Sequence, residues 1–435
     1  MIQRKLGEWL AYLEQLHPLV IDMSLERSQQ VVARLGLGGQ STPRVITVTG
    51  TNGKGSTCAF VASLLQAQGL KVGVYTSPHL LRYNERVHLD GIEATDEQLC
   101  EAFAALDVGR REISLTYFEM GTLAAFWLFK RAQLDVVILE VGFGGRLDTV
   151  NLMDADLALV TSIGIDHSDY LGNTRESVSY EKAGIFRYGK PVLCGDPDPP
   201  QPLLDKVHEL DCQFFLRGRE FDFNISGKHW QWRGRNVRGQ AVELHNLPLL
   251  NLPMENAALA LQAYSLLDLA WNAGQIAATL QAVRVVGRLD RRVLEWQGRY
   301  LSLLLDVGHN QHAAEYLAQR LSLTSLAGRR LAVFGLLADK DLNGVVAPLL
   351  DHVQTWAVAP LNTLRCRPAT ELEIVLQTLG ASVESYTSVT AALEAQCMAA
   401  TAEDEILLFG SFYCVAEALE WLAKRFTQKT DSING

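Results

Sequence analysis

Along the chain, short apolar runs rich in β-branched residues alternate with longer segments whose apolar positions recur at helical spacing. The runs Val45–Thr49, Lys71–Tyr75, Asp135–Val141, Asp156–Ile163 and Lys190–Cys194 predict strands. Ser56–Ala67, Asp96–Leu106, Phe118–Lys130 and Glu176–Ile185 predict the helices between them. Continuous apolar strands such as VVILEV predict a sheet covered on both faces, and the alternation predicts parallel βαβ units. Between residues 212 and 245 the chain turns aromatic, charged and turn-rich, a texture that predicts short antiparallel strands. Helical spacing returns at Met254–Ala270 and Ala273–Val283. A second alternating series begins near residue 300, with strands at Leu301–Asp306, Arg330–Leu336, Thr355–Ala359 and Glu405–Gly410. Its helices fall near His312–Leu321, Leu372–Leu379, Val389–Ala399 and Val415–Phe426. The expectation is an α/β protein with a mostly parallel sheet domain over residues 1–286. An interdomain linker over 287–299 and a smaller Rossmann-like α/β domain over 300–435 complete it.

Composition narrows the class. A chain of 435 residues accommodates two or three domains, and 48% hydrophobic with 20% charged residues is the balance of a soluble globular protein. The net charge of −10 argues against an extended nucleic-acid surface but leaves room for a local basic pocket. The seven cysteines stand singly without a C-x-x-C pair, which suggests neither zinc nor a redox motif and fits a reducing compartment, hence the cytoplasm. The N-terminal segment is amphipathic and carries Glu8 and Glu14, unlike a secretion signal. No apolar run is long enough to predict a membrane span.

The stretch VITVTGTNGKGST (Val45–Thr57) follows a predicted strand and opens a predicted helix. Against the phosphate-loop consensus G-x-x-x-x-G-K-[ST], Gly53 and Lys54 fit, the first glycine falls on Val48, and the hydroxyl position is Gly55. The hydroxyls come one residue late, at Ser56 and Thr57. The chemistry still suits a nucleotide. Gly50, Gly53 and Gly55 allow close backbone approach, the helix start directs free N–H groups at an anion, and Lys54 reaches β- and γ-oxygens. Thr51–Ser56 are therefore the expected ATP cradle; a tight glycine turn without ligand is the alternative.

Ser77, Glu140 and His167 each sit at or just past a predicted strand end, where open α/β sheets bind ligands. A hydroxyl, a carboxylate and an imidazole together suit a hard divalent cation. The plainer readings are a turn before Pro78, a structural ion-pair partner and a hydrogen-bonded turn histidine.

TGTNGKGST, with its extra glycine after the lysine, resembles the folylpolyglutamate synthase and dihydrofolate synthase family, relatives of the Mur ligases of cell-wall synthesis. The resemblance runs through IDMSLER, YTSPHLLRYNERV, LTYFE, LEVGFGGRLDTVN, TSIGIDHSDYLG, EKAGIFR, LLDVGHNQHAA and LLFGSFY, in that order. It implies that Ser77, Glu140 and His167 hold a pair of Mg²⁺ ions, and that Lys182 carries a carbamate (N6-carboxylysine) as an anionic metal ligand. By sequence alone Lys182 reads as a solvated helix lysine. The resemblance further implies a pterin and folate site from Ile21, Asp22, Met23, Thr116, Tyr117, Phe118, Glu119, Leu147, Asp148 and Thr149. It implies that Asn256 contacts adenine, although a helix-capping role is equally open. Arg288 and Asp306 are implied as ATP contacts, and His309 and Ser411 as glutamate contacts, so that the site falls between domains. Lys54, Lys182 and His309 are the implied catalytic groups.

The activity so implied is ATP-dependent addition of L-glutamate to dihydropteroate and to reduced folates through an acyl phosphate, by a monomer. A Mur-type amide ligase with another carboxylate acceptor is the nearest rival, disfavoured because the segment before Gly50 is too short for an ordinary domain. A phosphate-loop kinase or GTPase leaves Arg288 and the second α/β region unexplained. A binding-only module leaves the convergence of Ser77, Glu140 and His167 unexplained.

Overall fold

The computed structural model describes residues 4–38 and 43–431, with side chains to Arg425. It divides into two compact units, Met1–Val283 and Arg284–Gly435.

In the first unit, helices α1 (Leu6–Gln15) and α2 (Glu26–Leu35) precede β1 (Arg44–Thr49), α3 (Lys54–Gln66) and β2 (Val72–Tyr75). A 3₁₀ turn over Tyr83–Arg86 leads into the hairpin β3 (Val87–Leu89) and β4 (Ile92–Glu93). There follow α4 (Asp96–Arg110), α5 (Tyr117–Arg131), β5 (Val136–Glu140), a 3₁₀ turn over Thr149–Leu152, and β6 (Leu157–Val160). Then come α6 (Ser168–Leu171), α7 (Arg175–Ala183), β7 (Pro191–Cys194), α8 (Gln201–Glu209) and β8 (Gln213–Leu216). Eight strands form one sheet in the order β4-β3-β2-β5-β1-β6-β7-β8, parallel except at the β2–β3–β4 edge. β5 is buried at every position, which is why its sequence lacks alternation. Strands β9 (Asp222–Ser226), β10 (His229–Arg235) and β11 (Ala241–Pro248) make a separate antiparallel sheet. Helices α9 (Met254–Ser265) and α10 (Ala273–Ala282) complete the unit.

Register decides what meets at the sheet's carboxyl edge. Val48 lies opposite Glu140 on one side and Leu159 on the other, and Tyr75 lies opposite Leu139. The turns after β1, β2, β5 and β6 therefore leave the sheet at one level.

The second unit contains β12 (Asp290–Trp296), β13 (Arg299–Asp306), α11 (Gln311–Ser322), β14 (Arg330–Phe334), α12 (Leu342–Val346), β15 (Thr355–Val358), α13 (Ala369–Thr378), β16 (Val383–Ser385), α14 (Val389–Ala399), β17 (Glu405–Phe409) and α15 (Phe412–Asp431). Their sheet order is β12-β13-β17-β14-β15-β16, parallel except for β12. Phe409 lies opposite both Asp306 and Phe334, so those three strands also end level.

Two local expectations change. Segment 287–299 is no open linker: β12 runs antiparallel to β13 as an edge strand, alternately exposing its charged residues. Gln213–Leu216 joins the large sheet parallel to β7 rather than the antiparallel group that follows. Among the described residues no helix is long and apolar enough to cross a membrane.

Candidate active site

The phosphate loop leaves β1 with Gly50 at φ 147° and enters α3 through Gly53 at φ 89°. Neither position has room for a side chain. A Cβ on Gly50 would stand 1.8 Å from Thr161 Oγ1, and one on Gly53 would stand 2.5 Å from Asn256 Oδ1. The loop is pinned to the turn after β6. Thr51 N–H donates to Ser162 O at 2.9 Å, Thr51 Oγ1 to Gly164 O at 2.8 Å, and Thr161 Oγ1 to Asn52 O at 2.6 Å. Lys54 Nζ folds over the loop, donating to Gly50 O at 3.0 Å and Thr51 O at 3.2 Å. Ser56 is buried, and buried Thr57 Oγ1 has no hydrogen-bond partner. Asn256 lies in the first turn of α9, behind the cap residue Pro253, so it is not the cap; its carboxamide faces the loop.

Glu140 ends β5, buried, with both carboxylate oxygens 3.7 Å from the Cβ position of Gly55. It accepts the N–H of Ser77 at 3.2 Å. His167, exposed at φ 52°, begins α6 and stacks on Phe143 with ring centroids 5.2 Å apart. The structure thus joins Ser77 to Glu140 directly and seats His167 on the neighbouring turn. Among the described residues no group of three or more His, Cys, Asp or Glu is gathered around a metal position. The donors present are a hydroxyl, a carboxylate and an imidazole, which suit a hard cation completed by phosphate oxygens and water.

Lys182, which sequence alone reads as solvated, is buried in α7. Burial holds its pKa well below the ordinary lysine value, and the charge of Lys54 pushes the same way against Asp166. The turn Gly144–Arg146 packs on this helix. A Cβ on Gly145 would stand 3.0 Å from Glu181 O, and Arg146 pairs with the Glu181 carboxylate at 2.9 Å.

The expected ring-binding residues split into two kinds. Thr116 and Glu119 close a capping box on α5, with Thr116 N–H donating to Glu119 Oε2 at 2.7 Å. Glu119 also accepts from Ser28 Oγ at 2.9 Å and from Arg27, and Arg27 holds Asp22 at 2.6 Å. Asp148 caps the 3₁₀ turn it precedes and accepts the N–H groups of Gly142 (2.8 Å), Phe143 (3.3 Å) and Val150 (3.0 Å). Burial outweighs those donors and pushes its pKa up to about 7. Thr149 is buried behind it. Ile21, Met23, Tyr117, Phe118 and Leu147 are half-buried and carry the apolar faces. Arg27 closes the IDMSLER motif, and nothing in the sequence marks its pairing with Glu119, 92 residues on.

In the second unit Asp306 ends β13 and accepts the N–H groups of Leu289 at 2.9 Å and Gly308 at 2.8 Å. Burial raises its pKa while Arg288 opposes the shift. The Arg288 guanidinium lies 5.3 Å from the centre of the Phe412 ring, and the His309 ring lies 6.1 Å from it. His309 Nδ1 donates to Val307 O at 2.9 Å. Ser411 is buried and its Oγ accepts the N–H of Tyr413 at 3.1 Å. Phe412, which links Arg288 and His309, escaped the sequence reading because an aromatic at a helix start reads as core.

The Mur ligase middle domain matches residues 48–197, and the Mur ligase glutamate ligase domain matches residues 287–412. Fold and site together define a Mur-type ligase. The dihydrofolate synthase/folylpolyglutamate synthase of Escherichia coli strain K12 is 45% identical over 420 residues, 97% of this chain and 96% of that protein. E. coli FolC in complex with DHPP and ADP superposes with TM-score 0.90 at 44% identity, covering 97% of this chain and 98% of that one. A bifunctional folylpolyglutamate synthase/dihydrofolate synthase solved with Mn, AMPPNP and L-glutamate bound gives TM-score 0.87 at 43% identity, again over 97% and 98%. The chain belongs to the dihydrofolate synthase/folylpolyglutamate synthase family.

Proposed function

We propose that this chain joins L-glutamate to dihydropteroate, forming dihydrofolate, and to reduced folates, forming folylpolyglutamates, with hydrolysis of ATP to ADP. The observation that carries the reading is the phosphate loop, with Lys54 folded over it, Gly55 set against Glu140 and the charge of Lys54 felt by the buried Lys182, in a chain of this family. The relatives solved with ADP and DHPP, and with Mn, AMPPNP and L-glutamate, support it.

In this reading the γ-phosphoryl group passes to the acceptor carboxylate, and ADP departs. The glutamate amine then attacks the acyl carbon, losing a proton, and inorganic phosphate leaves as the amide forms. The residues supply position and charge rather than a covalent nucleophile. The loop Thr51–Ser56 cradles the phosphates, Lys54 neutralises charge on the transferring group, and Asn256, beside Gly53, contacts adenine. Arg288 and Asp306 are assigned to ATP, and His309 and Ser411 to glutamate. Ser77, Glu140 and His167 would hold Mg²⁺, which supplies charge neutralisation at the phosphates. The neutral form of a lysine adds CO₂ to its nitrogen and releases a proton, and a lowered pKa enlarges that form, so Lys182 suits a carbamate whose negative charge offsets that of Lys54. For the ring site we assign contact to Ile21, Met23, Tyr117, Phe118 and Leu147. We assign positioning to Asp22, Thr116, Glu119, Asp148 and Thr149, whose polar atoms are taken up by capping and ion pairs or lie buried.

The seven unpaired cysteines suit a reducing compartment, and we place the enzyme in the cytoplasm as a monomer.

The test is ADP release by the purified protein with Mg-ATP, glutamate and either dihydropteroate or tetrahydrofolate, with product mass recorded. Turnover and a glutamate-sized mass gain with both acceptors is the expected result. Turnover with one acceptor narrows the activity to that half. ATP binding without turnover on either would favour a Mur-type ligase acting on a different carboxylate.

A further inference from the structure

Arg86 closes the 3₁₀ turn Tyr83–Arg86, on the segment that runs from Ser77 back into the sheet. The residue is buried, 9% exposed. A guanidinium cannot shed its charge, and burying one costs several kcal/mol unless an anion or a set of carbonyls answers it. The other arginines of this region are answered. Arg27 pairs with Asp22 and Glu119, and Arg146 with Glu181. Arg86 pairs with no carboxylate among the described residues. Its Nε donates to His79 Nδ1 at 2.8 Å, and its guanidinium lies 5.3 Å from the Tyr83 ring centre and 5.7 Å from that of Tyr117. Tyr75 completes the surround. Burial raises the pKa of all three tyrosines, so they stay neutral phenols around a fixed positive charge.

The place of this charge matters. Tyr117 belongs to the half-buried face assigned to the acceptor ring, and Tyr75 lies two residues before Ser77. A cation with no carboxylate partner among the described residues therefore stands beside Tyr117 of the proposed ring contacts, on the segment that follows Ser77. Aromatic faces supply about 0.5–2 kcal/mol to such a cation, less than its desolvation takes away.

We propose that Arg86 is the counter-charge for a carboxylate of the acceptor substrate. This rests on the ligase reading above, whose acceptors are all carboxylic acids. Dihydropteroate offers only the carboxylate that is activated. A folate offers that group on its terminal glutamate and an α-carboxylate beside it.

The test compares KM values for dihydropteroate, tetrahydrofolate, ATP and glutamate in the wild type, Arg86→Gln and Arg86→Lys, with melting temperatures. Wild-type turnover is scored first, and its absence overturns the ligase reading rather than the role of Arg86. A charge-assisted contact predicts that Arg86→Gln raises acceptor KM by about 30-fold or more, with ATP and glutamate within about two-fold. Arg86→Lys keeps the charge but not the fork and should raise it by about ten-fold or less. A rise for both acceptors assigns Arg86 to the carboxylate that is activated, and a rise for tetrahydrofolate alone assigns it to the α-carboxylate. Unchanged acceptor KM, or a parallel rise in all KM values with a lowered melting temperature, overturns the proposal and leaves Arg86 a brace for its aromatic neighbours. Should Arg86→Gln not fold, Arg86→Lys decides by the same acceptor-only criterion.

Discussion

Burial first, and the charge of Lys54 second, hold the pKa of Lys182 well below the ordinary lysine value. A lowered pKa enlarges the neutral-amine fraction, the form that adds CO₂, relative to a solvated lysine. Lys182→Ala removes that nitrogen and should lower kcat by about 100-fold or more, the usual loss when one charge-stabilising group is deleted from a phosphoryl-transfer site. Added acetate should restore part of the rate, because a small carboxylate can stand where the proposed carbamate would. Loss without rescue would reduce Lys182 to a packing role. Asp148 yields a second test at the same scale. Its folded pKa, raised from 3.8 to about 7, lies above its unfolded one. The native state thus binds the proton more tightly, and the associated stability is complete below about pH 4 and lost as pH rises through 7. Asp148→Asn lacks this titration. Urea midpoints at pH 5 and pH 8 should show wild type losing more stability than the variant over that interval; equal losses would mean that the three backbone donors keep Asp148 ionised throughout.

At the scale of elements, Arg27 ties the loop carrying Ile21–Met23 to the first turn of α5. Arg27→Ala would leave Glu119, which is 3% exposed at its side chain, without its cation. Breaking a fully buried pair costs about 3–5 kcal/mol, and Arg27 is partly open to water, so about 2 kcal/mol is expected by urea unfolding. Acceptor KM should rise with ATP KM unchanged, because only the ring-facing segments lose their tether. The major elements were legible where burial is complete: β1, β5 and β13 read as apolar runs because both faces are covered. α2 does not stand out in sequence because ERSQQVVARL is mostly polar, with an apolar face of only Val31, Val32 and Leu35. β12 reads as a linker in sequence because an edge strand places charges on its open face. The phosphate loop, Ser77 and Glu140 were visible because glycine spacing and strand ends leave marks in sequence. The burial of Lys182, Arg27 and Arg86 was not, since lysine and arginine in polar stretches look the same whether solvated or enclosed.

At the scale of the whole molecule, each unit has its own sheet and its own core. Trp356 is central to the second core, 2% exposed and 5.8 Å from both the Phe334 and Phe409 rings. Its indole N–H has no hydrogen-bond partner, so the residue contributes packing alone. Trp356→Ala should therefore cost about 3–5 kcal/mol, a large part of the 5–15 kcal/mol that holds a domain folded. Trp356→Phe also removes the unpartnered N–H and fills much of the volume, so its cost should be smaller. Hydrogen exchange separates two outcomes for Trp356→Ala. If the units unfold independently, amides of β13, β14 and β17 lose protection while β1 and β5 keep theirs. Equal loss in both sets would show that the chain unfolds as a single cooperative body. The functional reading adds a constraint: Arg288 and Asp306 belong to the unit being loosened and are assigned to ATP. Trp356→Ala should then shrink the protection that ATP gives to β1 amides, whereas Trp356→Phe should preserve it. Undiminished ATP protection in the alanine variant would place nucleotide binding in the first unit alone and remove Arg288 and Asp306 from the ATP site.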